Sequence, residues 1–186
     1  MPTILLFHSA LGLRPAVGHL ADRFRAAGHT VHTPDLLEGR VFDNLEEAVA
    51  HRDAIGIPEL ARRGTVAAEG LPDDVVYAGF SMGVGSAEML ALTRPGARGA
   101  LLYHGALPTA AFNTTWPTSL PLQVHTTEHD PWVDLDVART LAAEASGALY
   151  TYPGASHLFT DPDLPDYDAR ATALLIERSL ALLEKL

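Results

Sequence analysis

The sequence predicts an α/β fold, in which a mostly parallel sheet of about six strands is covered by helices on both faces. Two observations carry this prediction. Short apolar runs alternate with helical segments along the whole chain, which is the pattern of parallel strands joined by crossover helices. The chain has 186 residues, of which 47% are hydrophobic and 19% charged, and these values are typical of a globular protein. We therefore expect one domain over residues 1–186, without an internal repeat or linker.

The first half of the chain is predicted to contain two strands and two helical stretches. Apolar and β-branched residues predict strands at 3–8 and 29–34, and apolar side chains at helical spacing predict a helix at 13–28. A second helical stretch is predicted from Asn44, a favourable cap, to about residue 69. Gly56 is expected to break this stretch into two pieces.

The second half continues the same alternation and begins with a buried strand at 75–80. The helix expected next is made of small residues and ends before Pro95 and Gly96. The remaining strands are predicted at 99–105, 122–126 and 148–152. The helices of this half are predicted at 82–93, 134–146 and about 166–185. The apolar face expected for the last helix includes Ala173, Leu174, Ile176, Leu180 and Leu183.

Two segments between these elements are candidates for a lid or a pocket wall. The first is the 36–70 region, and the second is a proline-containing loop at 107–120. Long loops in compact domains are commonly functional. We expect one or both of them to close over a binding site.

Composition excludes several classes of function. The formal net charge is −10 and there is no basic run, so neither nucleic acid nor an anionic membrane surface is expected as a partner. The chain has no cysteine, which excludes disulfides, a thiolate nucleophile and cysteine metal sites. No apolar stretch reaches the length of a membrane span, and no targeting signal precedes the first strand. We expect a cytoplasmic protein that is a monomer or homodimer.

The segment Gly79-Phe80-Ser81-Met82-Gly83 matches the Gly-x-Ser-x-Gly pattern of a nucleophile elbow. The pattern requires a strand before the serine and a helix after it, and both are predicted here. By itself the pentapeptide is a weak signal, since Ser81 would also serve as an ordinary helix cap. Its meaning depends on residues further along the chain.

Asp130 and His157 each follow a later predicted strand, so with Ser81 they are expected at the carboxyl edge of the sheet. The chain order Ser, Asp, His is that of the α/β-hydrolases. A serine hydroxyl needs an imidazole to take its proton, and the imidazole needs a carboxylate to fix its tautomer. Alone, Asp130 would be read as a turn residue before Pro131, and His157 as an exposed loop residue. Together they predict a catalytic triad.

An oxyanion hole is expected beside the triad. Its donors would be the backbone N–H of Met82, at the positive end of the following helix, and that of Ala10, in the small-residue loop after the first strand. Other side chains near the strand ends are candidate walls of a substrate pocket, although a core or surface position would also suit them. These candidates are Ser9, Leu11, His104, Trp116, Trp132 and Phe159.

The run from His125 through Glu128 to His129 matches His-x-x-Glu-His, an inverted zinc-hydrolase pattern. Two histidines at this spacing converge on a metal only if the segment is helical. The β-branched residues in the run and the Asp130-Pro131 pair after it favour a strand followed by a turn. No metal site is therefore expected, and a zinc hydrolase is the least favoured alternative.

The chain resembles the dienelactone hydrolase family over essentially its whole length. The resemblance lies in the segments 34–36, 79–83, 103–105 and 152–157, together with Asp130. It implies a small α/β-hydrolase with its nucleophile at 81, its acid at 130 and its base at 157, and with no metal or organic cofactor.

Three departures from that family pattern concern the substrate. Ser81 stands where the namesake enzymes have cysteine, Ser9 where they have a glutamate, and Asp161 ends the segment where they have an arginine for the substrate carboxylate. These departures argue against an anionic dienelactone. Serine in place of cysteine resembles the esterase-type relatives that are grouped with that family.

These observations predict a serine hydrolase that cleaves a small, neutral or weakly polar carboxylic ester or lactone through an acyl-enzyme. The alternative from another class is a catalytically idle hydrolase fold that binds a ligand or partner. An intact set of Ser81, Asp130 and His157 favours the enzyme.

Overall fold

The computed structural model describes all 186 residues, Met1–Leu186. It contains six strands and six helices, and helices connect most of the successive strands, which confirms the predicted α/β class. The strands are β1 (Thr3–Phe7), β2 (Thr30–His32), β3 (Val75–Phe80), β4 (Gly99–Tyr103), β5 (Leu122–Thr127) and β6 (Ala148–Tyr152). The helices are α1 (Pro15–Ala26), α2 (Leu45–Ile55), α3 (Ile57–Ala67), α4 (Met82–Thr93), α5 (Leu135–Glu144) and α6 (Ala169–Leu183). A 3₁₀ turn spans Thr109–Phe112.

All strand pairs are parallel, and the strand order is β2-β1-β3-β4-β5-β6. The direction of winding reverses between β1 and β3, which are neighbours in the sheet. In sheets of this kind ligands bind beyond the carboxyl ends of the strands, at the reversal point. The loops that follow β1 and β3 therefore flank the place where a site is expected.

Helices cover both faces of the sheet, as predicted, and each face has its own apolar core. On one face, α1 and α6 contribute Leu20, Phe24 and Leu175, which pack with Leu6 and other strand residues. The opposite core is formed by residues of α3, α4 and α5 on the alternate strand positions. Burying a side chain of this size contributes about 1.5–3 kcal/mol to folding. The two cores hold the strand ends that carry the candidate site residues.

The predicted Asn44 cap and the helix break are present, and Asp134 caps α5. Asn44 Oδ1 accepts a hydrogen bond from the Glu47 amide at 3.0 Å, and Asp134 Oδ1 accepts from the amides of Asp136 and Val137. Gly56 has φ 88°, a value that favours glycine, and it separates α2 from α3. No helix is both long and apolar enough to cross a lipid bilayer.

The prediction of which residues of the last helix are buried is partly wrong. Helix α6 begins at Ala169, and its buried residues are Ala171, Leu175, Ser179 and Leu183. Ala173, which was expected in the core, is exposed. One of the buried residues of α6 is Ser179, whose hydroxyl donates to Leu175 O and accepts from Tyr103 Oη at 3.0 Å. A pattern of apolar residues alone does not reveal a buried serine that is satisfied in this way.

Candidate active site

Ser81 lies on a sharp turn between β3 and α4. Its φ of 49° and ψ of −111° lie in a region that residues with a side chain rarely occupy, and holding it there costs about 1–3 kcal/mol. Two glycines make the turn feasible. A Cβ at Gly83 would lie 2.6 Å from the His8 carbonyl oxygen, and one at Gly79 would collide with the Gly83 carbonyl. The turn thus brings the start of α4 against the end of β1 and presents Ser81 at the carboxyl edge of the sheet.

The structure brings Ser81, Asp130 and His157 together. Ser81 Oγ is 2.8 Å from His157 Nε2, and His157 Nδ1 is 2.8 Å from Asp130 Oδ2 and 3.0 Å from Oδ1. Asp130 and His157 are both buried. A carboxylate accepts but does not donate, so the proton of a neutral His157 lies on Nδ1. Nε2 is then free to accept the proton of the serine hydroxyl.

Hydrogen bonds beyond the ends of β5 and β6 fix the two loops that carry Asp130 and His157. The Glu128 amide donates to Tyr152 O at 2.9 Å, and the His129 amide donates to Gly154 O at 3.0 Å. Asp130 Oδ1 also accepts from the Trp132 amide at 2.9 Å. The position of the carboxylate relative to the imidazole is therefore set by the backbone as well as by the side chains.

Two backbone amides lie at the reversal point without an acceptor in the chain. Met82 is the first residue of α4, where helix amides have no partner within the helix, and the Ala10 amide donates no hydrogen bond either. The loop around Ala10 is shaped by Ser9, whose Oγ accepts from the Leu11 amide at 3.2 Å and whose carbonyl accepts from the Gly12 amide at 3.0 Å. Such amides are suited to bind a carbonyl oxygen that acquires negative charge.

A cleft of about 230 Å³ opens over Ser81. We call Leu45, Val49, Arg52 and Ile57 the α2–α3 side of this cleft. Its acid–base side is formed by Trp132, Val133 and His157, together with Asp130, which is hydrogen-bonded to His157 but does not line the cleft. The lining between the two sides comes from Met82, Val84, Gly85, His104, Gly105, Ala106 and Leu107. Most of the lining is apolar, and Arg52 is its one charged side chain outside the acid–base side; its guanidinium donates twice to Asp53 Oδ1.

The sequence identified only part of this lining. Trp132 and His104 line the cleft, but Leu45, Val49, Ile57, Leu107 and Val133 were not anticipated individually. The 36–70 region supplies the α2–α3 side, whereas the 107–120 loop contributes only Leu107. Which apolar residues of α2 and α3 face the cleft depends on how the helix pair folds back over α4, and no local pattern encodes this.

The other proposed walls lie elsewhere. Trp116 is buried in the core and its Nε1 donates to Leu120 O at 2.8 Å. Phe159 is fully buried and packs edge-on against His104, with ring centroids 4.7 Å apart. Leu11 packs in a small core cluster with Leu158. Ser9 lines a separate cavity of about 20 Å³. None of these side chains lines the cleft.

His104 occupies an unusual position beneath His157. Its φ is 59°, it is buried, and its ring meets that of His157 nearly edge-on, with centroids 6.0 Å apart. Its Nε2 lies 3.0 Å from Thr160 Oγ1, while Nδ1 has no partner. Burial, and then the neighbouring His157 and His125, hold the pKa of His104 well below its usual value. His104 is therefore a neutral residue packed against the imidazole.

The segment 125–129 is a strand followed by a turn, as the sequence indicated. His125 lies in β5, with Nδ1 2.8 Å from Tyr152 Oη and Nε2 3.1 Å from Gln123 Oε1. Burial lowers the pKa of His125 to about 3. His129 is exposed beyond the end of the strand. Both nitrogens of His125 thus have side-chain partners, so the run lacks the geometry of an inverted zinc motif.

A buried ion pair ties the loops around the site to each other. Arg14 Nε donates to Asp161 Oδ2 at 2.6 Å, and its Nη1 donates to Phe42 O at 3.0 Å and to Asp43 Oδ1 at 2.9 Å. Arg14 follows the Ala10 loop, Asp161 follows His157, and residues 42–43 precede α2. One guanidinium therefore joins the three segments, and no local pattern in the sequence indicates this contact.

The sequence model of the dienelactone hydrolase family matches residues 1–186 of the chain. A comparison with curated protein sequences gives no match. Among solved structures, a dienelactone hydrolase-like promiscuous phosphotriesterase from metagenomic libraries is 22% identical, with a TM-score of 0.83 over 100% of this chain and 87% of that one. An esterase of Thermogutta terrifontis, phosphorylated by paraoxon, is 19% identical, with a TM-score of 0.63 over 99% and 82%. A thioesterase from the prodiginine pathway of Streptomyces coelicolor is 14% identical, with a TM-score of 0.60 over 97% and 90%. These structures share the fold of the chain.

Proposed function

The chain belongs to the dienelactone hydrolase family and is a hydrolase of ester bonds, and we propose that it cleaves small carboxylic esters or lactones with Ser81 as nucleophile. The observation that carries this proposal is the pair of contacts made by His157: Ser81 Oγ lies 2.8 Å from Nε2, and Asp130 Oδ2 lies 2.8 Å from Nδ1. This is the arrangement that activates a hydroxyl for attack on a carbonyl.

In the first half of the proposed reaction, Ser81 Oγ attacks the ester carbonyl while His157 Nε2 takes the hydroxyl proton. The carbonyl oxygen becomes an oxyanion, which the amides of Ala10 and Met82 bind. Asp130 stabilises the imidazolium that has formed. Each oxyanion donor of this kind lowers the barrier by roughly 3–4 kcal/mol, because it is already oriented before charge develops.

The tetrahedral intermediate then collapses. The bond to the leaving oxygen breaks as His157 gives its proton to that oxygen, which releases the alcohol and leaves an acyl ester on Ser81. A water molecule deprotonated by the same imidazole attacks this ester, and the carboxylic acid departs as Ser81 regains its proton. With a lactone, the alcohol and the acid are parts of one molecule, so a single hydroxy acid is released.

The cleft supports a small and mainly apolar substrate. At about 230 Å³ it lies just below the range of typical ligand pockets, roughly 300–1,000 Å³. Its lining offers no free cation to an anionic substrate, since Arg52 donates two hydrogen bonds to Asp53. We infer a neutral or weakly polar ester for this reason.

The direct test is the kinetics of Ser81→Ala on a short-chain aryl ester. We expect kcat to fall by about 10⁴-fold or more, because removing a nucleophile of this type leaves only the oxyanion hole and binding. Ser119→Ala is the matched control, since Ser119 is exposed on a loop and does not line the cleft. Unchanged turnover in Ser81→Ala would refute the proposal, and loss of activity with a chelator would favour a metal-dependent reaction instead.

A further inference from the structure

We propose that the cleft sorts the two parts of its ester: Trp132 binds the leaving alcohol, and the α2–α3 side binds the acyl group. This proposal rests on the function proposed above. Through Trp132, the enzyme would prefer esters of aromatic or other bulky, flat alcohols. The argument uses the sheet order, the contacts of Trp132 and the distribution of exposed apolar side chains.

The sheet order separates the two sides of the cleft. Ser81 follows β3 in the middle of the sheet, while the loops that bear Asp130 and His157 follow β5 and β6 toward one edge. Helices α2 and α3 follow β2, which forms the opposite edge. His157 must deliver a proton to the leaving oxygen, so the alcohol has to lie on the side of the imidazole. The acyl group, bound to Ser81, then extends the other way.

Trp132 is placed to contact whatever leaves beside His157. Its ring centroid is 6.0 Å from that of His157, with an angle of 38° between the planes. The side chain is 48% exposed, although indole is a large and mostly apolar group. Because Asp130 Oδ1 accepts a hydrogen bond from the Trp132 amide, the indole is tied at its root to the carboxylate of the site. The structure thus holds an open aromatic surface next to the general acid.

Several exposed apolar side chains lie together in the lining of this cleft. Of the seven large hydrophobic residues that are exposed, three line it: Ile57 at 64%, Trp132 at 48% and Leu107 at 38%. Exposed apolar groups that cluster at a concave site mark a binding surface. Ile57 begins α3 directly after the break at Gly56 and represents the α2–α3 side. The apolar surface therefore continues on both sides of Ser81, beyond the enclosed volume.

The test uses two pairs of esters. Phenyl acetate and 2-naphthyl acetate differ in the size of an alcohol of similar acidity, and phenyl acetate and phenyl hexanoate differ only in the acyl chain. In Trp132→Ala we expect the naphthyl-to-phenyl ratio of kcat/KM to fall about tenfold, while the hexanoate-to-acetate ratio stays within about twofold of wild type. Trp132→Phe should restore most of the naphthyl preference, because a flat aromatic face is retained.

Ile57→Ser provides the reciprocal variant. It should lower the hexanoate-to-acetate ratio several-fold and leave the naphthyl-to-phenyl ratio unchanged. Val66→Ser is the matched control, since Val66 is also an exposed apolar residue of α3 but does not line the cleft. This control should change neither ratio.

A second measurement does not depend on any variant folding. The chain has two tryptophans, so its NMR spectrum has two indole N–H signals. Added 2-naphthol should shift the signal of Trp132 and leave that of the buried Trp116 in place. No shift of Trp132, or equal losses in both ester ratios for Trp132→Ala, would overturn the division of the cleft. If the proposed ester hydrolysis itself were wrong, the result would differ: the wild-type protein would show no hydrolysis of phenyl acetate that depends on Ser81.

Discussion

The acid–base side and the α2–α3 side lie across Ser81 from each other, yet different forces hold them in place. Asp130 and His157 are buried, His157 Nδ1 donates a bifurcated hydrogen bond to both carboxylate oxygens of Asp130, and their loops are paired backbone to backbone. On the other side, Ile57 is 64% exposed, and α2 buries only Ala48 among its own residues. Groups that transfer protons need fixed distances and angles, whereas apolar contacts tolerate some displacement.

This difference predicts how each side responds to change. Segments with little buried surface open at a lower free energy than the core. The α2–α3 side should therefore move without disturbing the contacts of His157, and a change on the acid–base side should abolish the reaction without unfolding the protein. Four variants test this contrast, from the largest expected effect to the smallest.

Asp130→Asn should produce the largest effect. The side-chain amide of the new asparagine can donate as well as accept, so it no longer holds the proton of His157 on Nδ1. The tautomer that accepts the Ser81 proton is then lost, and kcat for a short ester should fall by about 10⁴-fold. The shape of the side chain is kept, so the midpoint of thermal unfolding should change little. Glu128→Gln, at an exposed position nearby, is the control. A decrease of less than tenfold would mean that the carboxylate does not orient the imidazole.

Arg14→Met tests the buried ion pair with Asp161, which lies in the loops around the site and contacts neither side of the cleft itself. Arg14 and Asp161 are 8% and 5% exposed, and removing the guanidinium leaves a buried carboxylate without its partner. We expect the free energy of unfolding to fall by about 3–5 kcal/mol, with part of it recovered when Asp161→Leu is added. Denaturant titration measures both. Arg62→Met, which removes an exposed pair with Glu59, should leave stability almost unchanged, because solvent screens such a pair. Equal losses in the two variants would contradict the account.

Glu88→Gln tests the protonation of a buried carboxyl group that contacts the cleft lining between the two sides. Glu88 is fully buried in α4, and its Oε2 accepts from the amide of Leu107, a cleft residue, at 3.1 Å. Burial raises the pKa of Glu88 to about 8, above its ordinary value of 4.5, so the folded protein keeps a proton that the unfolded chain has already lost. Its stabilising contribution is present at low pH and disappears as the pH rises toward 8.

Between pH 6.5 and 8, wild type should therefore lose about 2 kcal/mol of unfolding free energy that Glu88→Gln does not lose. Measuring above pH 6.5 keeps the buried His104 and His125 out of the comparison. Because the pKa values of these two histidines are lowered in the folded protein, the unfolded chain takes up their protons first as the pH falls. They therefore destabilise the folded state only below the ordinary pKa of histidine. Parallel pH profiles for wild type and Glu88→Gln would show that Glu88 is not protonated in the folded protein.

Asn44→Ala should have the smallest effect. Loss of the cap on α2 costs about 1 kcal/mol, and it acts on a helix with little buried surface. Amide hydrogen exchange should speed up in residues 45–55 and remain as in wild type in the Asp130 and His157 loops. Turnover of a short ester should stay within about twofold. Thr114→Ala, in an exposed loop, serves as the control, and faster exchange throughout the sheet would show that the two sides are not independent.

The same contrast explains what the sequence could predict. Ser81 directly follows β3, and Asp130 and His157 lie within five residues of the ends of β5 and β6. Strand ends in a parallel sheet meet at one edge, so local patterns were enough to predict that the three residues lie together. The cleft walls depend on how distant segments fold back. Trp116 and Phe159 were proposed as walls because aromatic residues near strand ends suit a pocket, but their local sequence does not distinguish a wall from the core.

Two further features had no readable signal. Arg14 and Asp161 are separated by 147 positions, and each looks like a surface charge until the loops are seen side by side. The buried row of α6 includes Ser179, which apolar periodicity passes over. Element order and the candidate chemistry were thus accessible from the sequence, while long-range polar pairs and the cleft surface required the structure.

The central claim is that His157 activates Ser81 as the nucleophile. It is tested most directly by locating the covalent adduct formed with a fluorophosphonate, using intact-protein mass and peptide mapping. We expect one adduct per chain, on Ser81, with none in Ser81→Ala and a rate at least about 10³-fold lower in His157→Gln. An adduct on another residue, or a wild-type protein that hydrolyses esters but is never labelled, would contradict the account.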